Sequence, residues 1–229
     1  LGRGGSARAL PPRGREPEPM DCMTRLRDLF GQRRYARLRS VESLVDELCA
    51  HGYLRFTPEE RRAEARCQLI ESAYDGYLDT LWDEDGISLD RRGYPADAED
   101  LADGGVGRTL RAMLPVLHAE GVRLESIEDD LSDTGYRVLL DGVAAPIYDI
   151  PDNASQDVWL VSQCRLVGIV NHLLEEADSS ERAFGLYCGG NDGRVLLLSR
   201  ELHSLFLDRR QHFDEDWLPR LCCERGPNP

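Results

Sequence analysis

The residues most suited to nucleophilic or metal chemistry are seven cysteines and five histidines, and none of them stands in a pattern typical of such a site. No two cysteines have the C-x-x-C spacing of a structural zinc site, and no H-x-x-x-H is present. The thiols of Cys164 and Cys188 can meet a histidine only in the fold, since catalytic sets assemble in space. His172 and His203, on predicted helices, are the candidates. The sequence itself predicts no catalytic residue, no metal ligand and no cofactor.

One glycine-rich stretch, Gly104-Gly105-Val106-Gly107-Arg108-Thr109, looks like a phosphate-binding turn of the Gly-Lys-Thr type. In such a turn, backbone N–H groups and a lysine bind phosphate after a buried strand. Here Arg108 replaces the lysine, and Asp103 lies where phosphate would arrive. The preceding residues, 95–101, include three acidic side chains and do not form an apolar strand. The stretch therefore predicts a flexible turn that opens a helix.

The segment Asp83-Glu84-Asp85-Gly86 is similar to the middle of a calcium-binding loop. With Gly86 at the required glycine position, the first and twelfth ligand positions fall on Leu81 and Arg92, where acidic oxygen donors are needed. We therefore interpret the segment as a solvated helix end.

Charge is distributed unevenly along the chain. All 28 basic residues are arginine, which excludes lysine-dependent chemistry such as Schiff bases. The formal net charge is −14, but residues 1–39 hold ten arginines and four acidic residues, a net of +6, and the other 190 residues carry a net of −20. A general nucleic-acid binder needs a basic face, so only the arginine-rich tail is a candidate for direct contact with nucleic acid.

No stretch approaches the 18 apolar residues that a membrane span requires, so no membrane partner is expected. No signal peptide is recognised, and the scattered cysteines are typical of a reducing compartment. We therefore expect a cytoplasmic protein.

Helix signals dominate the first half of the chain. Ser40 is predicted to cap a short helix over residues 41–50. Thr57-Pro58-Glu59-Glu60 is a capping-box pattern and predicts a helix that runs to about Trp82. Residues 86–105 are expected to be a loop, and a further helix is predicted over residues 106–120, ended by Gly121.

The second half alternates apolar and polar residues with the period of a strand. Val122–Ile127 is predicted as a strand. Asp141-Gly142 separates two alternating runs and predicts a hairpin. A long helix is expected over residues 156–177, followed by a second hairpin around Gly189–Gly193 and a short helix capped by Ser199. No element is predicted beyond Gln211.

This order, helices and then β-β-β-α-β-β-α, predicts an α+β fold. We expect a helical N-terminal half, then an antiparallel sheet built from two hairpins with one long and one short packing helix. The expected regions are a disordered basic tail (1–22), a mainly helical region (23–121), a hairpin and helix region packed with it as one domain (122–210), and a C-terminal tail (211–229).

The stretch from Trp159 to Leu198 resembles the C-terminal part of small bacterial immunity-type proteins, the cytosolic inhibitors that are paired with secreted polymorphic toxins. The likeness covers about 40 residues and includes Arg165, Ile169-Val170-Asn171 and the Gly189-Gly190-Asn191-Asp192-Gly193 turn. It implies an acidic, non-enzymatic protein that occludes the active site of a cognate basic toxin. It transfers no inhibitory residue, because such proteins bind their toxins through varied surfaces.

The acidic clusters favour the same function, since a negative surface attracts a basic protein partner from a distance. An uncharacterised enzyme with a Cys, His and carboxylate site, a non-catalytic adaptor, and acidity that serves only solubility remain alternatives. The residues predicted to bind the partner are Asp83, Glu84, Asp85, Glu128, Asp129, Asp130, Asn191 and Asp192.

Overall fold

A computed structural model describes residues 35–82, 87–149 and 158–221. The helices are α1 (Tyr35–Ala50), α2 (Arg62–Asp75), α3 (Ala98–Asp100), α4 (Val106–Ala119), α5 (Val158–Glu176) and α6 (Arg200–Asp208). The strands are β1 (Gly93–Pro95), β2 (Ile127–Ser132), β3 (Gly135–Leu140), β4 (Val143–Asp149), β5 (Glu181–Leu186) and β6 (Arg194–Ser199).

Contacts divide the chain into two units, Leu1–Ala36 and Arg37–Pro229, and the second contains every strand listed above. The predicted basic tail, residues 1–22, lies outside the described residues. Among the described helices, none combines the length and the apolar character needed to cross a bilayer.

The strands form two three-stranded antiparallel sheets, in the orders β1-β6-β5 and β2-β3-β4, and the predicted α+β class is confirmed. The two hairpins belong to different sheets, and each gains a third strand. Residues 93–95, expected within a loop, form β1 and pair with Arg194–Leu196. Three residues are too few to show a strand period in the sequence. Pro95 fits there because β1 is an edge strand.

The β3–β4 hairpin confirms the Asp-Gly prediction. Asp141 and Gly142 have φ angles of 49° and 80°, as a type I′ turn requires. The predicted strand 122–127 is wrong, because the pairing begins at Ile127. The backbone N–H groups of Glu125 and Ser126 instead donate to Asp141 Oδ1, at 2.9 and 2.7 Å.

These two backbone donors make the sheet sensitive to acid. The N–H groups of Ser126 and Glu125 hold the pKa of the Asp141 carboxyl below its usual range. The stabilisation is present above the unfolded-state pKa and is lost as pH falls through the lower folded-state pKa. We expect Asp141→Asn to flatten the fall in the free energy of unfolding between about pH 5 and pH 3. Urea denaturation across this range measures it, with Asp133→Asn in the β2–β3 turn as control. Parallel wild-type and Asp141→Asn curves would contradict the prediction.

Two helix boundaries differ from the prediction. Ser40 lies inside α1 instead of capping it, because the buried apolar face already includes Leu38 upstream. The predicted capping box is absent: Thr57 Oγ1 is buried and has no hydrogen-bond partner among the described residues. Helix α2 ends at Asp75, well before Trp82, because Gly76 adopts a left-handed φ of 102° and its N–H bonds back to Ala73 O.

Helix α5 connects the two sheets, since it packs against both β4 and β5. Helix α4 packs against β2 and α5, and the main core lies between these elements. Its buried residues include Leu110, Met113, Leu117, Tyr136, Val138, Ile147, Leu166, Val170, Leu174, Val195 and Leu197. The predicted cap of α6 is confirmed, because Ser199 Oγ accepts from Leu202 N at 3.2 Å.

Candidate functional site

The glycine-rich turn at the start of α4 binds a carboxylate of the same chain. Gly107 N donates to Asp129 Oδ1 at 2.7 Å, and the Tyr136 hydroxyl donates to the same oxygen. Val106 N donates to that hydroxyl at 3.0 Å, and Arg111 Nη2 lies 3.2 Å from Asp129 Oδ2. A helix N-terminus favours an anion. Asp129 therefore supplies the negative charge that phosphate would supply in the turn this sequence looks like.

Two of the glycines in this turn are explained by close contacts, one of them to the Asp129 carboxylate. A Cβ on Gly107 would lie 2.6 Å from Asp129 Oδ1, and one on Gly105 would lie 2.6 Å from Asp100 O. Both distances are too short for any other residue. Burial, with the Asp129 carboxylate beside it, raises the pKa of the Tyr136 hydroxyl. Asp129, predicted to face a partner, thus has its carboxylate bonded within the fold.

Glu128 and Asp130 remain as exposed carboxylates on the outer face of β2. They lie opposite Leu139 and Arg137 of β3, on the side of the sheet away from α4. Within the described part of the chain, no arginine or histidine nitrogen lies within the 4.0 Å of an ion pair to either carboxylate. Among the described residues, this sheet face therefore presents two carboxylates without an ion-pair partner.

Asn191 and Asp192 are exposed at the tip of the β5–β6 turn. The turn is held firmly, because Gly189 N donates to Gln163 Oε1 at 2.7 Å and Asn191 Nδ2 lies 3.4 Å from Glu99 Oε2. A Cβ on Gly193 would lie too close to Ala96 O, so this glycine of the motif is needed for the turn to pack. The other predicted binding residues, Asp83, Glu84 and Asp85, lie outside the described residues.

A cluster that the sequence analysis did not predict surrounds Arg194. The Arg194 guanidinium carbon lies 4.8 Å from the ring centre of Trp82 and 5.1 Å from that of Trp217. Arg194 Nη1 lies 2.5 Å from Asp79 Oδ2, and Trp82 Nε1 donates to Asp79 Oδ1 at 3.0 Å. We call these residues, with Tyr77 and Tyr187, the Arg194 cluster. It combines tryptophan, tyrosine and arginine, the residue types that dominate binding energy at protein interfaces.

Tyr77 and Tyr187 complete the cluster by packing on Trp217, with ring centres 5.6 and 5.9 Å away. Tyr187 has a φ of 49°, a left-handed conformation that is strained for a tyrosine. Burial, followed by the charges of Asp216 and Asp214, raises the pKa of its hydroxyl. Sequence reasoning missed the cluster because its members come from three separate segments. No spacing pattern could have linked them.

The most deeply buried charges form a structural ion pair. Arg92 Nη1 donates to Glu181 Oε2 at 2.8 Å, and the two side chains are 0% and 1% exposed. The other Arg92 nitrogens donate to the carbonyls of Tyr53 and Gly52, at 2.5 and 2.9 Å. Arg92 therefore fastens the turn after α1 to β5.

A second buried carboxyl belongs to Asp90, which shares one property with catalytic acids. Desolvation raises its pKa, as in many general acids. Its Oδ1 atom accepts from Ser88 Oγ at 2.6 Å and from Arg92 N at 2.9 Å, and the residue is only 2% exposed. These bonds fix the loop that precedes β1 and give Asp90 a structural role.

The thiol and imidazole side chains considered for a catalytic set make packing or surface contacts in the fold. His172 pairs with Glu176 on the surface of α5 at 3.5 Å. The His203 ring stacks on Phe184 with centres 4.1 Å apart. Cys164 and Cys188 pack at the margin of the main core. Within residues 35–82, 87–149 and 158–221, no three His, Cys, Asp or Glu side chains are grouped to hold a metal ion.

Comparison with protein-family models, curated proteins and solved structures finds no match to this chain.

Proposed function

We propose that this protein is a non-catalytic inhibitor that binds a basic protein partner, in the manner of bacterial immunity-type proteins and their toxins. The observation that supports it best is the outer face of the β2–β3–β4 sheet, where Glu128 and Asp130 are exposed and lack an ion-pair partner among the described residues. Many other carboxylates are paired, including Asp79, Asp100, Glu120, Asp129 and Glu181.

A rigid strand is a suitable platform for such charges. Two carboxylates on one face of a hydrogen-bonded sheet have a fixed backbone spacing, so little backbone conformational freedom is lost when they contact a partner. Arg137 and Leu139 lie beside them and offer a hydrogen-bond donor and an apolar contact. An acidic face of this kind would cover a basic cleft and exclude its substrate.

The net charge of −14 would act over a longer range. A negative field raises the association rate of a basic partner, and this effect falls with ionic strength. Asn191 and Asp192, on a turn fixed to α5, would provide a second point of contact. In this proposal the protein acts in the bacterial cytoplasm and contacts neither nucleic acid nor membrane through its acidic body.

The experiment is binding to the products of neighbouring genes, measured by biolayer interferometry at low and high salt. We expect the double charge reversal Glu128→Lys and Asp130→Lys to weaken binding about tenfold or more, mainly through the association rate. The matched control reverses Glu71 and Glu175, two exposed acids on α2 and α5, and changes the net charge by the same amount.

If the two double variants bind the partner with equal affinity, binding depends on the net charge of the protein and not on this face. If no product of a neighbouring gene binds, the proposal that this protein is an inhibitor fails.

A further inference from the structure

The C-terminal segment Phe213–Leu221, which we call the strap, lies along the free edge of β5. Gly185 N donates to Arg220 O at 2.9 Å, and Arg220 N donates to Gly185 O at 3.1 Å. Three residues earlier in the strap, Trp217 is only 7% exposed and packs against the other residues of the Arg194 cluster. At its start the strap is also held by Asp214 N, which donates to Gly76 O at 2.8 Å, and by Phe213, which stacks on Phe206. Near its end, His203 Nε2 lies 3.3 Å from Pro219 O.

The rest of the β5 edge does not depend on the strap. The Asn171 side chain of α5 satisfies Ala183, donating to its carbonyl at 3.0 Å and accepting from its N–H at 2.7 Å. Gly185 alone therefore needs an added strand. Backbone pairing at a sheet edge, combined with a side-chain seat, is how many domains bind extended peptides.

The seat for Trp217 is built entirely from residues that precede the strap. Tyr77 follows α2, whereas Tyr187 and Arg194 belong to the β5–β6 hairpin. Tyr187 keeps its strained φ of 49° at this place. Strain of this kind persists where the surrounding structure fixes it, and it is concentrated at ligand sites.

We propose that the β5 edge at Gly185 and the seat formed by Tyr77, Tyr187 and Arg194 make a peptide-binding site and that the strap is its resident occupant. The ligand is a segment of a partner protein that carries a tryptophan on a short 3₁₀ turn, as the strap does at Glu215–Trp217, three residues before the residue that pairs with Gly185. The strap itself shows which chemistry the site accepts. This site is separate from the acidic face of β2, and it requires no basic partner.

An internal occupant weakens any competing ligand, because the apparent affinity scales with the fraction of molecules whose site is vacant. The probe is a fluorescein-labelled peptide of residues 211–221, and its binding to the full-length chain is followed by fluorescence polarisation. We expect it to bind the Trp217→Ala protein about tenfold or more tightly than wild type. The same peptide with its tryptophan replaced by alanine is the control and should not bind. Adding Arg194→Gln to the Trp217→Ala protein should abolish this increase in peptide affinity.

A second measurement uses the wild-type chain and does not depend on whether the variant folds. If the strap opens, the amides of Gly185 and Arg220 should exchange hydrogen about tenfold or more faster than the amide of Phe184, which faces β6. Equal exchange of all three would overturn the proposal, as would equal peptide affinity for wild type and a folded Trp217→Ala protein. Neither readout involves the basic partner of the proposed function.

Discussion

The Arg92→Met variant is expected to lose about 3–5 kcal/mol of the free energy of unfolding. Arg92 and Glu181 are fully buried, and methionine retains the apolar stem while removing every donor. The carboxylate of Glu181 and the carbonyls of Tyr53 and Gly52 then stay buried without this partner, so their desolvation is no longer offset. Arg55, 3.1 Å from the other Glu181 oxygen, limits the loss. Urea denaturation followed by circular dichroism measures it.

The control is an ion pair of the same chemistry on the surface. Arg61 Nε lies 2.6 Å from Glu64 Oε2, and both side chains are about half exposed. Arg61→Met should leave the urea midpoint almost unchanged, since water screens such a pair. Pairing Arg92→Met with Glu181→Met should recover part of the loss, because no unpaired buried charge remains. Equal midpoints for the Arg61 and Arg92 variants would show that Arg92 has no special role.

Replacing Gly107 by alanine is expected to destabilise the protein by about 1–3 kcal/mol. The expected effect on stability is opposite to that of most Gly→Ala substitutions in helices, since alanine within a helix is favoured over glycine by about 1 kcal/mol. The reason is the Asp129 carboxylate, whose Oδ1 atom would lie 2.6 Å from the new Cβ. Moving the carboxylate away would break its hydrogen bonds to Gly107 N and Tyr136. Thermal and urea unfolding measure the change.

Helix α5 offers the matched control. Gly168 has nothing within 4 Å of a built Cβ, so Gly168→Ala should stabilise the protein by about 0.4–1 kcal/mol. In an Asp129→Ala background the clash at Gly107 is removed, and Gly107→Ala should then be close to neutral. Additive effects of the two substitutions would contradict this account of the turn.

Three short-range signals predicted their elements correctly, although the Thr57 capping box did not. Asp141-Gly142 specifies its turn because both residues tolerate positive φ. Ser199 caps α6 with its own hydroxyl, three residues from the N–H it accepts. Gly121, with a φ of 91°, ends α4 as its position predicts. Each of these depends on atoms a few residues apart.

Two predictions failed where an apolar pattern continued although the hydrogen bonding of the element did not. Residues 122–126 alternate like a strand, and Val122 and Leu124 are buried, yet Asp141 takes two of the N–H groups that a ladder would use. The pattern after Gly76 continues with helical spacing because Leu78 is still buried, although the helix has ended. Burial alone therefore does not determine the hydrogen-bonding partner.

The sequence by itself determined the α+β class, the two hairpins, and the acidic residues Glu128, Asp130 and Asp192, which are exposed. Only the tertiary structure decided that Asp129 turns inward to α4, that the hairpins separate into two sheets, and that Trp217 meets Arg194. The physical reason is the separation along the sequence between the groups that interact. Turn, cap and periodicity signals arise from neighbouring residues, whereas the partner of a buried charge or ring is fixed by chain packing that no local pattern records.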